Sequence, residues 1–179
     1  MYKVEIIKHP TDEDWQWAYT CTLNTVHKTP IKKPTLEWKK KLLKSEHSPI
    51  RELWFGIKME VPYWVSTHYV RHHVGSNHYI STQRDDRTNA TISRADMPQG
   101  TLVSHIMSVN AQELMFMAHK RLCTQAAPET RQVMQEIVKR VLEINPEFED
   151  VLVPLCAYRG GLCNEFTCCG LNKKYIIKE

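Results

Sequence analysis

The sequence lacks long apolar runs, internal repeats and low-complexity segments. A helix that crosses a bilayer needs roughly 18–20 consecutive apolar residues, so we expect no membrane span. The first residues, Met1 to Glu5, lack the basic and apolar pattern of a secretion signal. We therefore expect a cytoplasmic protein in a reducing compartment, where its six cysteines are free thiols or metal ligands.

The charge is also modest, with a formal net charge of +4 over 179 residues and acids mixed among bases. This balance makes a nucleic-acid partner improbable, but it suits a small anionic ligand. The length fits one domain with a real core. We expect an α+β fold, with a small antiparallel sheet packed against helices. Residues 1–150 would form its main body and residues 151–179 a cysteine-rich tail of the same domain.

The clearest secondary-structure pattern is an alternation that predicts a strand from Leu53 to Val61. Other strands are predicted at residues 2–8 and 101–109. Capping residues and apolar spacing predict helices at 11–26, 35–43, 63–71, 111–122, 128–144 and 148–158. We expect the stretch 88–100 to be irregular. The predicted core includes Leu36, Leu42, Leu43, Met134, Ile137, Val138, Val141 and Leu142.

The segment from Arg71 to Arg84 carries the strongest functional pattern. Cationic and imidazole side chains flank a turn-prone centre at Gly75 to Asn77, where backbone amides can approach an anion closely. Arginine offers a planar fork of donors that suits phosphate oxygens, and imidazole rings can stack on an aromatic ligand. The segment is therefore typical of a site for a phosphorylated ring compound, although a solvated basic loop would have the same composition.

With the predicted strand and helix before it, this segment resembles the signature of the flavin-dependent thymidylate synthases, the ThyX family. That signature reads R-H-R-x-x-S-x-N-E-x-S-x-R. Four of its positions match here, namely Arg71, His72, Ser76 and Ser81. Four others depart, namely His73, His78, Tyr79 and Gln83, with Arg84 one step late. Upstream, Ser48-Pro49 and Pro62 also match, whereas His68 stands where the family has glutamine.

A second block strengthens the resemblance, because the family has a strand ending in V-N and an arginine eleven residues after the asparagine. Val109-Asn110 and Arg121 reproduce that spacing, and Gln125 continues it. The resemblance covers about residues 45–143. The segment between Gln83 and Thr101 is shorter here than the corresponding segment in members of the family. An arginine that reaches a neighbouring subunit's phosphate has no obvious counterpart there, unless Arg87 or Arg94 replaces it.

The resemblance implies a homotetramer that methylates dUMP at C5, with methylenetetrahydrofolate as carbon donor and FAD reduced by NADPH. Arg121 would bind the uracil and stabilise negative charge on its ring. Other implied substrate contacts are His68, Tyr79, Ser81, Thr82, Gln83 and Arg84. Implied FAD contacts are Ser48, Arg71, His72, His73, His78, Asn110 and Gln125. At position 73 an imidazole keeps a donor but lacks the permanent charge of arginine.

Alternatives remain for these residues. Arg121 could be a surface arginine, and the histidines could be packed, solvated or, less simply, zinc ligands. The departures leave open a flavin- or nucleotide-binding relative with altered one-carbon chemistry. They also leave open a non-catalytic interaction module stapled by a metal.

The tail supplies a separate pattern, because Cys156, Cys163, Cys168 and Cys169 lie close together in the sequence. Clustered thiolates in a reducing compartment often bind Zn²⁺, so we expect a structural metal there. The spacing is not a standard pair of Cys-x-x-Cys motifs, and buried free thiols are the alternative. Cys21 and Cys123 are expected in the core.

Overall fold

The computed structural model describes residues 2–88 and 91–176. Within them lie four strands: β1 (Lys3–Lys8), β2 (Trp54–Pro62), β3 (Ser76–Ile80) and β4 (Leu102–Asn110). The helices are α1 (Asp12–Asn24), α2 (Leu36–Lys44), α3 (Tyr63–Val70), α4 (Ala111–Arg121), α5 (Pro128–Ile144) and α6 (Leu155–Tyr158). Short 3₁₀ helices lie at Ser48–Glu52, Arg94–Asp96, Pro146–Phe148 and Leu171–Lys174. The predicted α+β class is confirmed.

The four strands form one antiparallel sheet in the order β1-β2-β4-β3. β2 lies inside the sheet and alternates as predicted. Its buried side chains Phe55, Ile57, Met59 and Val61 meet the helices, while Lys58 and Glu60 face solvent. Burying one apolar face of a sheet under helices is what holds such a fold together. No helix within 2–88 or 91–176 is long and apolar enough to cross a membrane.

The helix boundaries follow their caps. Thr11 and Asp14 form a reciprocal capping box at the start of α1, and the Thr35 hydroxyl accepts the Trp38 amide at the start of α2. One core prediction is wrong: Leu36 is 53% exposed because it is the first residue of α2, before the helix turns onto the core. The continuous helix predicted over 148–158 is also wrong, since only Leu155–Tyr158 is α-helical in that stretch.

The largest difference from the sequence prediction is β3, a strand in a segment where the sequence predicts none. Its residues Ser76–Ile80 pair with β4, with His78 opposite Met107. The apolar alternation that identified β2 is absent here, so the pairing depends on the partner strand. As expected, 88–100 contains only a short 3₁₀ turn, although residues 89 and 90 lie outside the described part of the chain.

Gly75 provides a test of how this segment is held. Its φ of +82° is left-handed, and an added Cβ would lie 2.5 Å from Asn110 Nδ2. We expect Gly75→Ala to lower the free energy of unfolding by about 1–3 kcal/mol, measured by urea denaturation. Gly100→Ala is the matched control, since a Cβ there meets nothing within 4 Å. Equal stability of the two variants would contradict this account.

Candidate active site

Three side chains form a hydrogen-bonded network that joins the predicted ligand-binding segment to α4. His72 Nδ1 lies 3.0 Å from Glu113 Oε1, and Arg121 Nε donates to His72 Nε2 at 2.9 Å. A second guanidinium nitrogen, Nη2, donates to the His68 carbonyl at 2.9 Å. His72 and Glu113 are only 5% and 7% exposed. Arg121 is therefore held against the 71–84 segment in a fixed orientation.

The hydrogen bonds determine the tautomer of His72. Arginine can only donate, so Nε2 of His72 must be an unprotonated acceptor. The ring proton is then on Nδ1 and is donated to Glu113. The contact between His72 and Glu113 is for this reason a hydrogen bond from a neutral imidazole rather than an ion pair. Burial lowers the pKa of Arg121, but its guanidinium remains protonated at neutral pH.

Local structure at the start of α4 positions Glu113. Asn110 is the N-cap of the helix, and its Oδ1 accepts the Glu113 amide at 3.0 Å. The Asn110 amide donates to the Gly75 carbonyl at 2.9 Å. The carboxylate of Glu113 is thus available to His72 and does not close a capping box. Asn110 and Gly75 act together to place the helix start beside the segment.

Two clefts open on either side of the network formed by His72, Glu113 and Arg121. The first, about 360 Å³, is lined by Arg71, Lys120 and Arg121 together with Phe116 and Gln125. The second is larger, about 680 Å³. Its lining includes Arg51, Arg71, His73, Gly75, Asn110 and Phe116. Arg71 and Phe116, which are shared by both clefts, offer a cation and a half-exposed aromatic ring. Such an arrangement can bind an anionic ligand that carries a flat ring.

Two imidazole rings on neighbouring strands, those of His78 and His105, contact each other outside both cleft linings. His105 is fully buried, and its Nε2 lies 2.9 Å from Nδ1 of His78. Nε2 of His78 lies 2.7 Å from the His72 carbonyl and must donate to it. His78 Nδ1 is then the acceptor for His105 Nε2–H. Nδ1 of His105 remains an acceptor without a partner among the described residues. Burial, aided by His78, lowers the pKa of His105 to about 4.

This pair predicts a pH dependence of stability. Because the folded state disfavours charged His105, the unfolded chain binds more protons between its ordinary pKa of 6.5 and about 4. Stability is complete above pH 6.5 and falls by up to about 3 kcal/mol as the pH drops through this window. We expect His105→Gln, which keeps a donor but does not titrate, to flatten the curve. Denaturant unfolding from pH 7 to 4 measures this effect.

His73→Gln is the control for that experiment, because His73 is exposed. Burial also lowers the pKa of His68 and His119, so part of the slope should persist in His105→Gln. An unchanged curve in that variant would contradict the assignment.

The remaining predicted site residues do not all meet at the clefts. His68 lies beside the first cleft, with Nδ1 2.7 Å from the Thr130 hydroxyl. Gln125 Nε2 donates to the Thr167 carbonyl and so contacts the tail. Ser48 is exposed at the start of a 3₁₀ helix. The other predicted substrate contacts lie along β3 and after it, outside both cleft linings. They are Tyr79, Ser81, Thr82, Gln83 and Arg84, called here the third group.

Within this third group, several donors are already engaged. The Ser81 amide donates to the Ser104 carbonyl at 2.8 Å, and the Ser81 hydroxyl accepts the Ser104 amide. Arg84 Nε donates to Asp86 Oδ1 at 2.8 Å. Tyr79 is 64% exposed on the edge strand. The predicted nucleotide contacts of this group remain a prediction.

Sequence reasoning missed several residues of the site. The sequence alone assigns no functional role to Glu113 or His105. Phe116 and Lys120 were assigned no role. A signal for Glu113 existed, because a carboxylate three residues after an N-cap can reach either its own backbone or a side chain opposite. The buried partner of a histidine cannot be identified from one sequence.

The cysteines form a cluster around the end of α4. Cys123 and Cys156 are buried, whereas Cys168 and Cys169 are exposed. In the ranges 2–88 and 91–176, no group of three or more His, Cys, Asp or Glu side chains is arranged to hold a metal. Cys168 donates to Asn172 Oδ1 at 3.2 Å. The expected tail metal remains a prediction, and Cys21 is only half-buried rather than in the core.

The comparisons with known proteins agree with this arrangement. The sequence model of the thymidylate synthase complementing protein family matches residues 84–147, which include Asn110, Glu113 and Arg121. The residues of the 71–83 signature lie outside that match. No curated protein matches the chain significantly.

Among solved structures, the chain resembles the UMP/dUMP methylase PolB from Streptomyces cacaoi, bound with 5-Br dUMP. The TM-score is 0.60 at 12% identity, covering 86% of this chain and 97% of that one. At this identity the likeness establishes a shared fold. The family match over α4 and α5 and the shared fold both agree with the resemblance to the ThyX family.

Proposed function

We propose that this protein transfers a one-carbon unit from methylenetetrahydrofolate to C5 of a uracil nucleotide, dUMP, with reduced FAD. The observation that carries the proposal is the fixed guanidinium of Arg121, which lines a cationic cleft and is oriented by His72. The family match and the shared fold support a dUMP-methylating enzyme of this type. Cytoplasmic location and a homotetramer are parts of the same proposal.

Arg121 would bind the uracil edge in the first cleft. Two of its donors are taken by His72 and the His68 carbonyl, and the rest of the fork is available to a ligand. As the bond to C5 forms, negative charge develops on the ring, and a preorganised guanidinium stabilises it without rearranging. Arg71 would bind the phosphate group.

The second cleft fits a flavin in chemistry and size. Arg51, Arg71 and His73 supply donors for a diphosphate, and Phe116 supplies an aromatic face. A volume of about 680 Å³ is within the usual range of cofactor pockets. When bound, reduced FAD supplies the hydride that completes the methyl group, and NADPH regenerates it. The protein's part is to position the ring beside Arg121 and to exclude water.

A second candidate is a relative with altered one-carbon chemistry. The observation that favours it is the placement of Tyr79, Gln83 and Arg84, which replace or shift the family's glutamate and arginine and lie outside both clefts. Such a protein would bind flavin and nucleotide but would not release the C5 hydrogen of dUMP under the standard conditions.

Two measurements test the proposal. We expect the purified protein to be yellow with flavin absorbance, and we expect tritium release from 5-³H-dUMP with methylenetetrahydrofolate and NADPH. A flavoprotein that releases no tritium from dUMP would favour the second candidate. A protein that binds neither flavin nor dUMP would overturn both and favour a non-catalytic module.

A further inference from the structure

A small cavity between the end of α4 and the tail collects ligands that suit a metal ion. His119 faces it, together with four thiols: Cys123, Cys156, Cys163 and Cys169. Its volume is about 10 Å³, close to that occupied by a single water. These residues come from α4, the turn after it, α6 and the tail loop. Three separate stretches of chain therefore bring soft or borderline donors to one cavity.

His119 provides an independent indication of a ligand. The residue is 6% exposed, and its Nε2 is buried without a hydrogen-bond partner among the described residues. Burial lowers the pKa of His119, whereas hydrogen bonding to the Val151 backbone raises it. A neutral ring that donates one N–H to the backbone and leaves its other nitrogen free has the arrangement of a metal-bound histidine. A buried nitrogen lone pair with no partner is otherwise costly.

The thiols lie close enough to affect one another. Besides burial, interaction with Cys169 contributes to the raised pKa of Cys123, and interaction with Cys168 contributes to that of Cys163. Cys168 does not line the cavity, and its sulfur donates to Asn172 Oδ1 and accepts the Gly170 amide. The set of metal ligands that the sequence predicts, four tail cysteines, therefore changes. Cys168 leaves the candidate set, and His119 and Cys123 enter it.

We propose that His119 Nε2 and three of the thiols of Cys123, Cys156, Cys163 and Cys169 bind one Zn²⁺ ion. A tetrahedral set of one imidazole and three thiolates is a common structural zinc site. Each thiol that binds the ion releases its proton to solvent. The described side chains are not yet arranged as a metal site, so rotation of the thiol side chains must accompany binding. The proposal is independent of the enzymatic function.

The test uses the full chain, purified under reducing conditions and incubated with ZnCl₂ before gel filtration. We expect one zinc per chain by elemental mass spectrometry, and a thiolate-to-metal charge-transfer band after substitution with Co²⁺. We expect His119→Gln to lower the zinc affinity by at least tenfold, measured by competition with a chelating dye. Cys21→Ser is the matched control, since Cys21 lies on α1 away from the cavity.

Three outcomes would overturn the proposal. The first is a reduced, folded protein that retains no zinc. The second is a His119→Gln variant with unchanged zinc affinity and an unchanged Co²⁺ spectrum. The third is a protein that, purified without reductant, has its cavity thiols paired in disulfides and takes up no zinc after they are reduced. Circular dichroism on each variant separates loss of the site from loss of the fold.

Discussion

Arg121→Lys should lower the turnover of tritium release from dUMP by about 10²–10³-fold. Lysine keeps the positive charge but has no planar fork, so it cannot donate to His72 and the uracil in the same geometry. The expected loss is in turnover more than in substrate affinity, because charge on the ring develops only in the transition state. Steady-state kinetics on the flavin-loaded protein measure both quantities.

Arg140→Lys is the matched control for Arg121→Lys, because Arg140 forms a partly exposed pair with Glu136 on α5, outside both clefts. We expect this control to retain full turnover and unchanged stability. If Arg121→Lys keeps near-normal turnover, the guanidinium is not the group that stabilises the ring, and the proposed role of the first cleft fails.

His72→Ala should be the most destabilising single change in the site. It removes the acceptor of Arg121 Nε and the donor to Glu113 at once, so it leaves a buried carboxylate without that partner. We expect a loss of about 3 kcal/mol in the free energy of unfolding, measured by urea denaturation. Glu113→Ala alone should cost about 2 kcal/mol, because the Nδ1–H group of His72 loses its acceptor.

The double variant distinguishes this account from a simple loss of packing. Removing Glu113 also removes the stranded carboxylate, so the two losses should be less than additive by about 1 kcal/mol or more. His73→Ala serves as the control, since the neighbouring imidazole is exposed and should change stability by less than about 0.5 kcal/mol. Strict additivity would contradict a functional contact between His72 and Glu113.

Much of the fold could be predicted because its elements carry local signals. β2 alternates without error, and α1, α2 and α4 begin at capping residues that the sequence displays. β3 could not be predicted in this way, since a short edge strand with histidine and asparagine owes its structure to pairing with β4. The predicted burial of Leu36 is wrong for a related reason, because burial at a helix end depends on the direction in which the chain enters the helix.

The sequence predicts that Arg121 acts together with the 71–84 segment, but it does not predict the contacts that hold Arg121 there. The spacing between Asn110 and Arg121 carried the family resemblance, and the structure brings Arg121 within 2.9 Å of His72. The carboxylate of Glu113 that fixes the imidazole is equally near in the fold, yet nothing local marks its partner. Long-range contacts between polar side chains depend on how β3 and α4 pack, and a single sequence does not record that.

The last turn of α4 contacts three different parts of the structure. Three successive residues there reach three different places: His119 faces the thiol cavity, Lys120 donates to Glu165 at 2.8 Å, and Arg121 reaches His72. Glu165 belongs to the tail and also lines the first cleft. The tail therefore forms part of the wall of the first cleft. A variant truncated before the tail would keep the strands of the sheet, but the Arg121 guanidinium would be more exposed to solvent.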